Sequence, residues 1–113
     1  MFNFRRLDVY GCSISFFKFS IPLTERVPVG YHSLADQLRR AAISIPLNVA
    51  EGSGRFDKDE RRYFSIARGS ALECAAIMDV LEALGTPSVE EVTQGRELLE
   101  RIVSMLTKLC TAR

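Results

Sequence analysis

The run Arg40-Ala-Ala-Ile-Ser44-Ile-Pro-Leu-Asn48-Val-Ala-Glu51-Gly-Ser-Gly54-Arg55 decides how the rest of the chain is read. Ser44, Asn48 and Glu51 recur at steps of four and three, so on a helix they line one strip. Almost everything around that strip is Ala, Ile, Leu or Val. A polar strip in such surroundings is either a hydrogen-bonded network or a site, because an unpaired buried polar group costs about 1–3 kcal/mol. Gly69-Ser70-Ala-Leu-Glu73 answers the run downstream with a second polar pair. As structure, Asn48 and Glu51 would bond to Ser70 and Glu73 and hold two helices in register. As chemistry, Glu51 and Glu73 would form a carboxylate pair for acid–base or metal work. The spacing supplies no third ligand and no nucleophile, which favours the structural reading.

Working outward, the apolar residues keep a helical rhythm along four segments, predicted over 4–25, 33–52, 57–84 and 88–111. The first is built on Leu7, Tyr10, Ile14, Phe17, Ile21 and Thr24. Gly11, Ser13, Ser15 and Ser20 weaken it, Phe16 to Ile21 could pass for a strand, and Pro22 should kink or end it early. Ser33 and Asp36 resemble a capping pair for the second segment. Its stripe of Leu34, Leu38, Ala41, Ile45 and Val49 crosses Pro46, where a bend is expected, and stops at Gly52 and Gly54. The third opens with Asp57 and Glu60 as a second capping pair, carries Phe64, Ala67, Ala71, Cys74, Met78 and Leu81, and ends at Gly85-Thr-Pro87. Ser88-Val-Glu-Glu91 opens the fourth with a capping box. Short connections between long helices favour antiparallel neighbours, so the fold class is all-α, an antiparallel up-down four-helix bundle formed by a single domain over residues 1–113.

Composition narrows the function. With 26% charged residues and a formal net charge of +1, the chain is an ordinary globular one. Its charge is unevenly spread: residues 39–68 carry seven Lys/Arg against four Asp/Glu, and residues 69–113 carry four against seven. One end or face should therefore be basic and another acidic. Cys12, Cys74 and Cys110 lack metal-ligand spacing and sit at apolar helical positions, as buried free thiols in a reducing compartment do. Arg5-Arg6 before an apolar stretch mimics a signal peptide, but Asp8 and Lys18 interrupt it. No stretch approaches a membrane span, and a cytoplasmic location is expected.

Enzyme signatures do not emerge. One histidine, His32, lies by a turn and cannot supply the two Glu-x-x-His pairs of a di-iron bundle. Three dispersed cysteines do not make a zinc site, and Gly52-Ser-Gly54 is too short to cradle phosphates. The chain is expected to need no metal and no cofactor.

The basic residues point elsewhere. Arg55, Lys58, Arg61, Arg62 and Arg68 surround the turn between the second and third helices, with Arg39 and Arg40 further back; together they are the candidate nucleic-acid-binding set. Such a patch could neutralise phosphates, and Phe56 or Tyr63 could stack on an unpaired base. The competing reading is a solvated face with Asp57, Asp59 and Glu60 as local partners. Apolar surface on the last three helices exceeds the roughly 100°-wide stripe one bundle buries, which predicts association of the chain with itself.

Leu7-Asp-Val-Tyr10, Leu38-Arg-Arg-Ala-Ala, Ser44-Ile, Asn48-Val-Ala-Glu51-Gly52 and Gly54-Arg55 form a pattern continued by Phe64, Ala67, Gly69-Ser70, Glu73 and Leu84-Gly85. In these residues the chain resembles the four-helix-bundle family of 23S rRNA intervening-sequence proteins, which includes the accessory variability protein of diversity-generating retroelements. The resemblance implies a pentameric ring of bundles without enzymatic activity. For the retroelement branch it implies binding to nucleic acid and to a reverse transcriptase. This chain departs from that branch in being nearly neutral, and from the family in the Gly11–Pro22 stretch. A protein-interaction module without nucleic acid is the alternative reading.

Overall fold

The computed structural model describes residues 2–111; residues 1, 112 and 113 of the predicted domain lie outside them. A 3₁₀ turn, Asn3–Arg6, precedes four helices: α1 (Asp8–Glu25), α2 (His32–Ser53), α3 (Asp57–Ala83) and α4 (Val89–Thr111). No strand occurs among the described residues. Each helix packs on its sequence neighbours and α1 closes on α4, with the most extensive contact between α2 and α3. The result is the expected four-helix bundle, 44 Å along its longest axis.

The first helix is more regular than its composition predicts. Its buried hydroxyls are satisfied inside the helix: Ser13 donates to the Val9 carbonyl at 2.6 Å, Ser20 to Phe17 at 2.7 Å and Thr24 to Ile21 at 2.7 Å. Backbone carbonyls thus serve as acceptors where the core offers none, and a serine-rich segment can be buried without an orphaned group. Phe16 to Ile21 lie inside α1, so the strand reading of that stretch is incorrect, and Phe16 and Leu23 are fully buried. Pro22 does not end the helix. Pro22 and Lys18 are both exposed, so the carbonyl left without a helical donor lies on the solvent side, where water can serve it.

One contiguous core runs through the bundle. Phe16 and Leu23 meet Leu38, Ile45 and Val49 of α2, Phe64, Ala71, Cys74 and Leu81 of α3, and Leu99, Ile102 and Leu106 of α4. Two glycines permit close approach. A Cβ at Gly52 would lie 2.9 Å from the Phe64 ring and 3.2 Å from the Glu60 carbonyl, and one at Gly95 would lie 2.9 Å from Met78 and Phe19. Gly52 is therefore a packing position inside α2, where the sequence reading had made it a stop.

The helix ends confirm some capping signals and overturn others. Ser88 and Glu91 form the reciprocal box, with Glu91 N–H donating to Ser88 Oγ at 3.1 Å and Ser88 N–H to Glu91 Oε1 at 2.8 Å. Gly85, at φ 74°, closes α3 with a Schellman pair, Thr86 N–H to the Leu81 carbonyl and Gly85 N–H to that of Glu82. Neither Ser33 nor Asp57 caps a helix. The N-cap positions are Tyr31 and Phe56, without side-chain cap bonds, and Asp36 instead pairs with Arg39 at 3.1 Å.

Candidate nucleic-acid interface

Antiparallel packing gathers four helix ends at each pole of the bundle. At one pole the end of α2 meets the start of α3, through Gly52 on Phe64. The last turns of α4 reach the same pole, where the Cys110 thiol lies 4.0 Å from the Arg61 carbonyl. Met105, Lys108 and Leu109 share a groove there with Leu7, Asp8 and Val9. At the opposite pole Arg26, just past α1, forks onto Glu91 at 2.6 and 3.1 Å and reaches the Thr86 carbonyl at 3.1 Å.

The first pole carries the basic set. Arg55, Lys58 and Arg62 are exposed and Arg61 is half-buried. The Tyr63 ring holds two of them, with the Arg55 guanidinium 5.3 Å and that of Arg62 5.6 Å from its centroid. Arg55 also pairs with Glu51 at 2.8 Å, and that hydrogen bond is the main cause that raises its pKa. Among the described residues Lys58, Arg61 and Arg62 form no ion pair, nor do Asp57, Asp59 and Glu60. Asp57, Asp59 and Glu60 are therefore not ion-pair partners of this patch, whose one ion pair joins Arg55 to Glu51.

Of the rest of the predicted basic set, Arg68 lies at the margin of this pole and Arg39 and Arg40 lie away from it. Arg68 turns to α4, where its Nε donates to Thr107 Oγ1 at 2.8 Å. Arg39 and Arg40 line a groove between α1 and α2 with Phe17, Ile21 and Ile43. At 1.5 Å per residue they stand roughly 22 Å from Arg55 along α2. Arg5 and Arg6 of the 3₁₀ turn and Lys108 of α4 join the basic pole in their stead. Sequence reasoning missed them because they are distant in the chain, yet the up-down topology it predicted already puts the start of α1 and the end of α4 beside the α2–α3 turn. The opposite pole carries Glu25, Asp36, Asp79, Glu82, Glu90, Glu91 and Glu97, with Arg26, Arg39 and Arg96 drawn into ion pairs there.

The polar strip resolves into a smaller network than predicted. Asn48 Nδ2 donates to the Ser44 carbonyl at 2.8 Å and to Ser44 Oγ at 2.9 Å, and the Ser70 hydroxyl donates to Ser44 Oγ at 2.8 Å. That last bond is the link between α2 and α3. Glu51 and Glu73 stay outside it, both exposed. Because Ser44 faces Ser70 in antiparallel helices, Glu51 and Glu73 lie on opposite sides of that contact, roughly 15 Å apart along the axis at 1.5 Å per residue. That separation is too large for a carboxylate pair sharing one substrate or metal. Among the described residues no cluster of His, Cys, Asp or Glu is arranged to hold a metal ion. Burial pushes the Cys74 thiol up to about 12 and raises that of Cys110, against the pull of Arg68, so neither is an activated nucleophile.

An antiparallel four-helix bundle with a Ser44–Asn48–Ser70 link and one basic pole defines the class. A family model described as 23S rRNA-intervening sequence protein matches residues 5–108, and the chain belongs to that family. No curated protein matches the chain significantly. No helix among the described residues is long and apolar enough to cross a membrane.

Proposed function

We propose that the chain is a non-catalytic accessory or scaffold protein, assembled from copies of itself, that binds RNA or another nucleic acid through the pole bearing Arg55, Lys58, Arg61 and Arg62. The observation that carries this reading is the uneven spread of charge along the 44 Å bundle: at one end Arg5, Arg6, Arg55, Lys58, Arg61, Arg62 and Lys108 outnumber Asp8, Glu51, Asp57, Asp59 and Glu60, and at the other the acids are in excess. A polyanion meets an attractive field at one end only. The family description, a 23S rRNA-intervening sequence protein, accords with an RNA-associated role.

Self-assembly is supported by exposed apolar side chains on α2 and α3. Ile43 and Leu47 of α2, and Ile66, Leu72 and Val80 of α3, are each at least 40% exposed. Cyclic packing, pentameric as the resemblance implies, would set the basic poles on one face of a ring and multiply a weak field. A protein partner such as a reverse transcriptase is the second reading. It is favoured by the groove of about 430 Å³ between α3 and α4, floored by Leu72, Met78, Leu99 and Val103 and edged by Asp79 and Arg96. A cytoplasmic location accords with three free thiols.

The test is binding to structured RNA, single-stranded DNA and duplex DNA across a salt series, with mass read by light scattering. The proposal expects an assembly several chains in mass and an affinity that falls steeply with salt. An assembly that binds none of these probes transfers the reading to a protein partner.

A further inference from the structure

We infer that the basic pole takes its nucleic acid as an unpaired strand, with Phe56 as the platform on which a base stacks and Phe2 as a second. The inference rests on the reading of that pole as a nucleic-acid surface.

Phe56 is 85% exposed at the tip of the α2–α3 turn and Phe2 is 67% exposed at the chain's start. Neither belongs to the core. Phe56 occupies the N-cap of α3 without a cap bond, a position where Ser, Thr, Asp or Asn would stabilise the helix by about 1 kcal/mol. An exposed ring that displaces a useful cap costs both solubility and stability, so folding does not account for it.

The two other aromatics of this surface are already engaged. Tyr63 is in cation–π range of both the Arg55 and the Arg62 guanidiniums, and Phe4 lies edge-on to Tyr10 at 4.8 Å. Tyr63 thereby steadies two phosphate-binding cations, which leaves Phe56 as the open ring of the turn. Phe2 stacks on Phe4 at 5.7 Å and 17°, with Arg5 5.9 Å from its centroid. Open rings on a surface that also carries guanidinium groups suit an unpaired strand, whose bases present their faces while its phosphates meet the cations. A duplex keeps its base faces stacked inside and offers this pole its phosphates alone.

The experiment measures fluorescence anisotropy of a short poly-uridine RNA and of an RNA duplex of equal length, across salt, with light scattering on each variant. The native chain should bind the single strand more tightly. Phe56→Ala should weaken single-strand binding about five-fold or more, with duplex affinity, salt slope and assembled mass unchanged. Phe56→Trp should restore it. Arg61→Gln with Arg62→Gln should weaken both probes and flatten the salt slope. Equal losses on both probes, an unchanged single-strand affinity, or an altered mass for Phe56→Ala would overturn the stacking role while the charge reading stands. A native chain that binds neither probe at low salt overturns both.

Discussion

The two turns that flank α3 sit at opposite poles of the bundle and are built by opposite rules. The α3–α4 turn is built from standard local devices, with a left-handed glycine, a Schellman pair, a reciprocal capping box and the Arg26 fork onto Glu91, and leaves one buried hydroxyl, that of Thr86, without a partner. At the α2–α3 turn Phe56 fills the N-cap without a cap bond, Asp57 takes φ 51°, and Lys58, Arg61 and Arg62 form no ion pair among the described residues although Asp57, Asp59 and Glu60 share the start of α3. A non-glycine residue in the left-handed region costs of order 1 kcal/mol. Locally consistent chemistry marks the pole that secures the fold, and departures from it mark the pole available for binding.

The largest expected effect on stability comes from the one tight contact at the basic pole. Gly52→Ala gains about 1 kcal/mol of helix propensity, but its methyl meets Phe64 and the backbone carbonyl of Glu60. Overpacking of about 1–3 kcal/mol should win, with a thermal midpoint several degrees lower in a melting experiment. An unchanged midpoint would mean that the α2–α3 end yields.

A mirrored pair of cap variants sharpens the contrast next. Ser88→Ala should cost about 1 kcal/mol, whereas Phe56→Ser should gain up to about 1 kcal/mol, because it supplies a cap where none exists. The second variant should also bind single-stranded RNA less well. Denaturant titration of both, with binding of the latter, checks stability traded against function at a single residue.

The smallest effect is one of pH. Arg26 and the capping bonds with Ser88 hold the Glu91 carboxyl down at about 2, from an ordinary 4.5. A depressed carboxyl stabilises the fold fully above its unfolded value, and that contribution fades as pH falls from about 4.5 to about 2. The melting midpoint of Glu91→Gln should therefore lie below that of the native chain at neutral pH, with the gap narrowing through that window. A constant gap would assign the loss to packing.

How much of this was legible in the sequence follows the same division. The α3 and α4 helices, Gly85 and the Ser88–Glu91 box are written in local signals of spacing and turn chemistry. The regularity of α1 is not, because its serines are satisfied by their own helix in three dimensions. Gly52 read as a stop, since a neighbouring ring is invisible to a one-dimensional pattern, and Asp57 read as a cap because φ cannot be read from a residue type alone. Glu51 and Glu73 shared a strip with the polar network, but the Ser44–Ser70 register puts them far apart. Arg39 and Arg40 were near the patch in number but not in space; Arg5, Arg6 and Lys108 were the converse.

The central claim, that position at one pole rather than net charge governs binding, is tested by two double variants of equal charge. Arg61→Gln with Arg62→Gln acts at the basic pole; Thr93→Glu with Gln94→Glu acts at exposed positions near the start of α4, at the acidic one. Each lowers the net charge by the same amount. The measurement is affinity for single-stranded RNA at low salt. The first pair should weaken binding strongly and the second leave it near the native value. Equal losses in the two, or no loss in the first, would contradict the account.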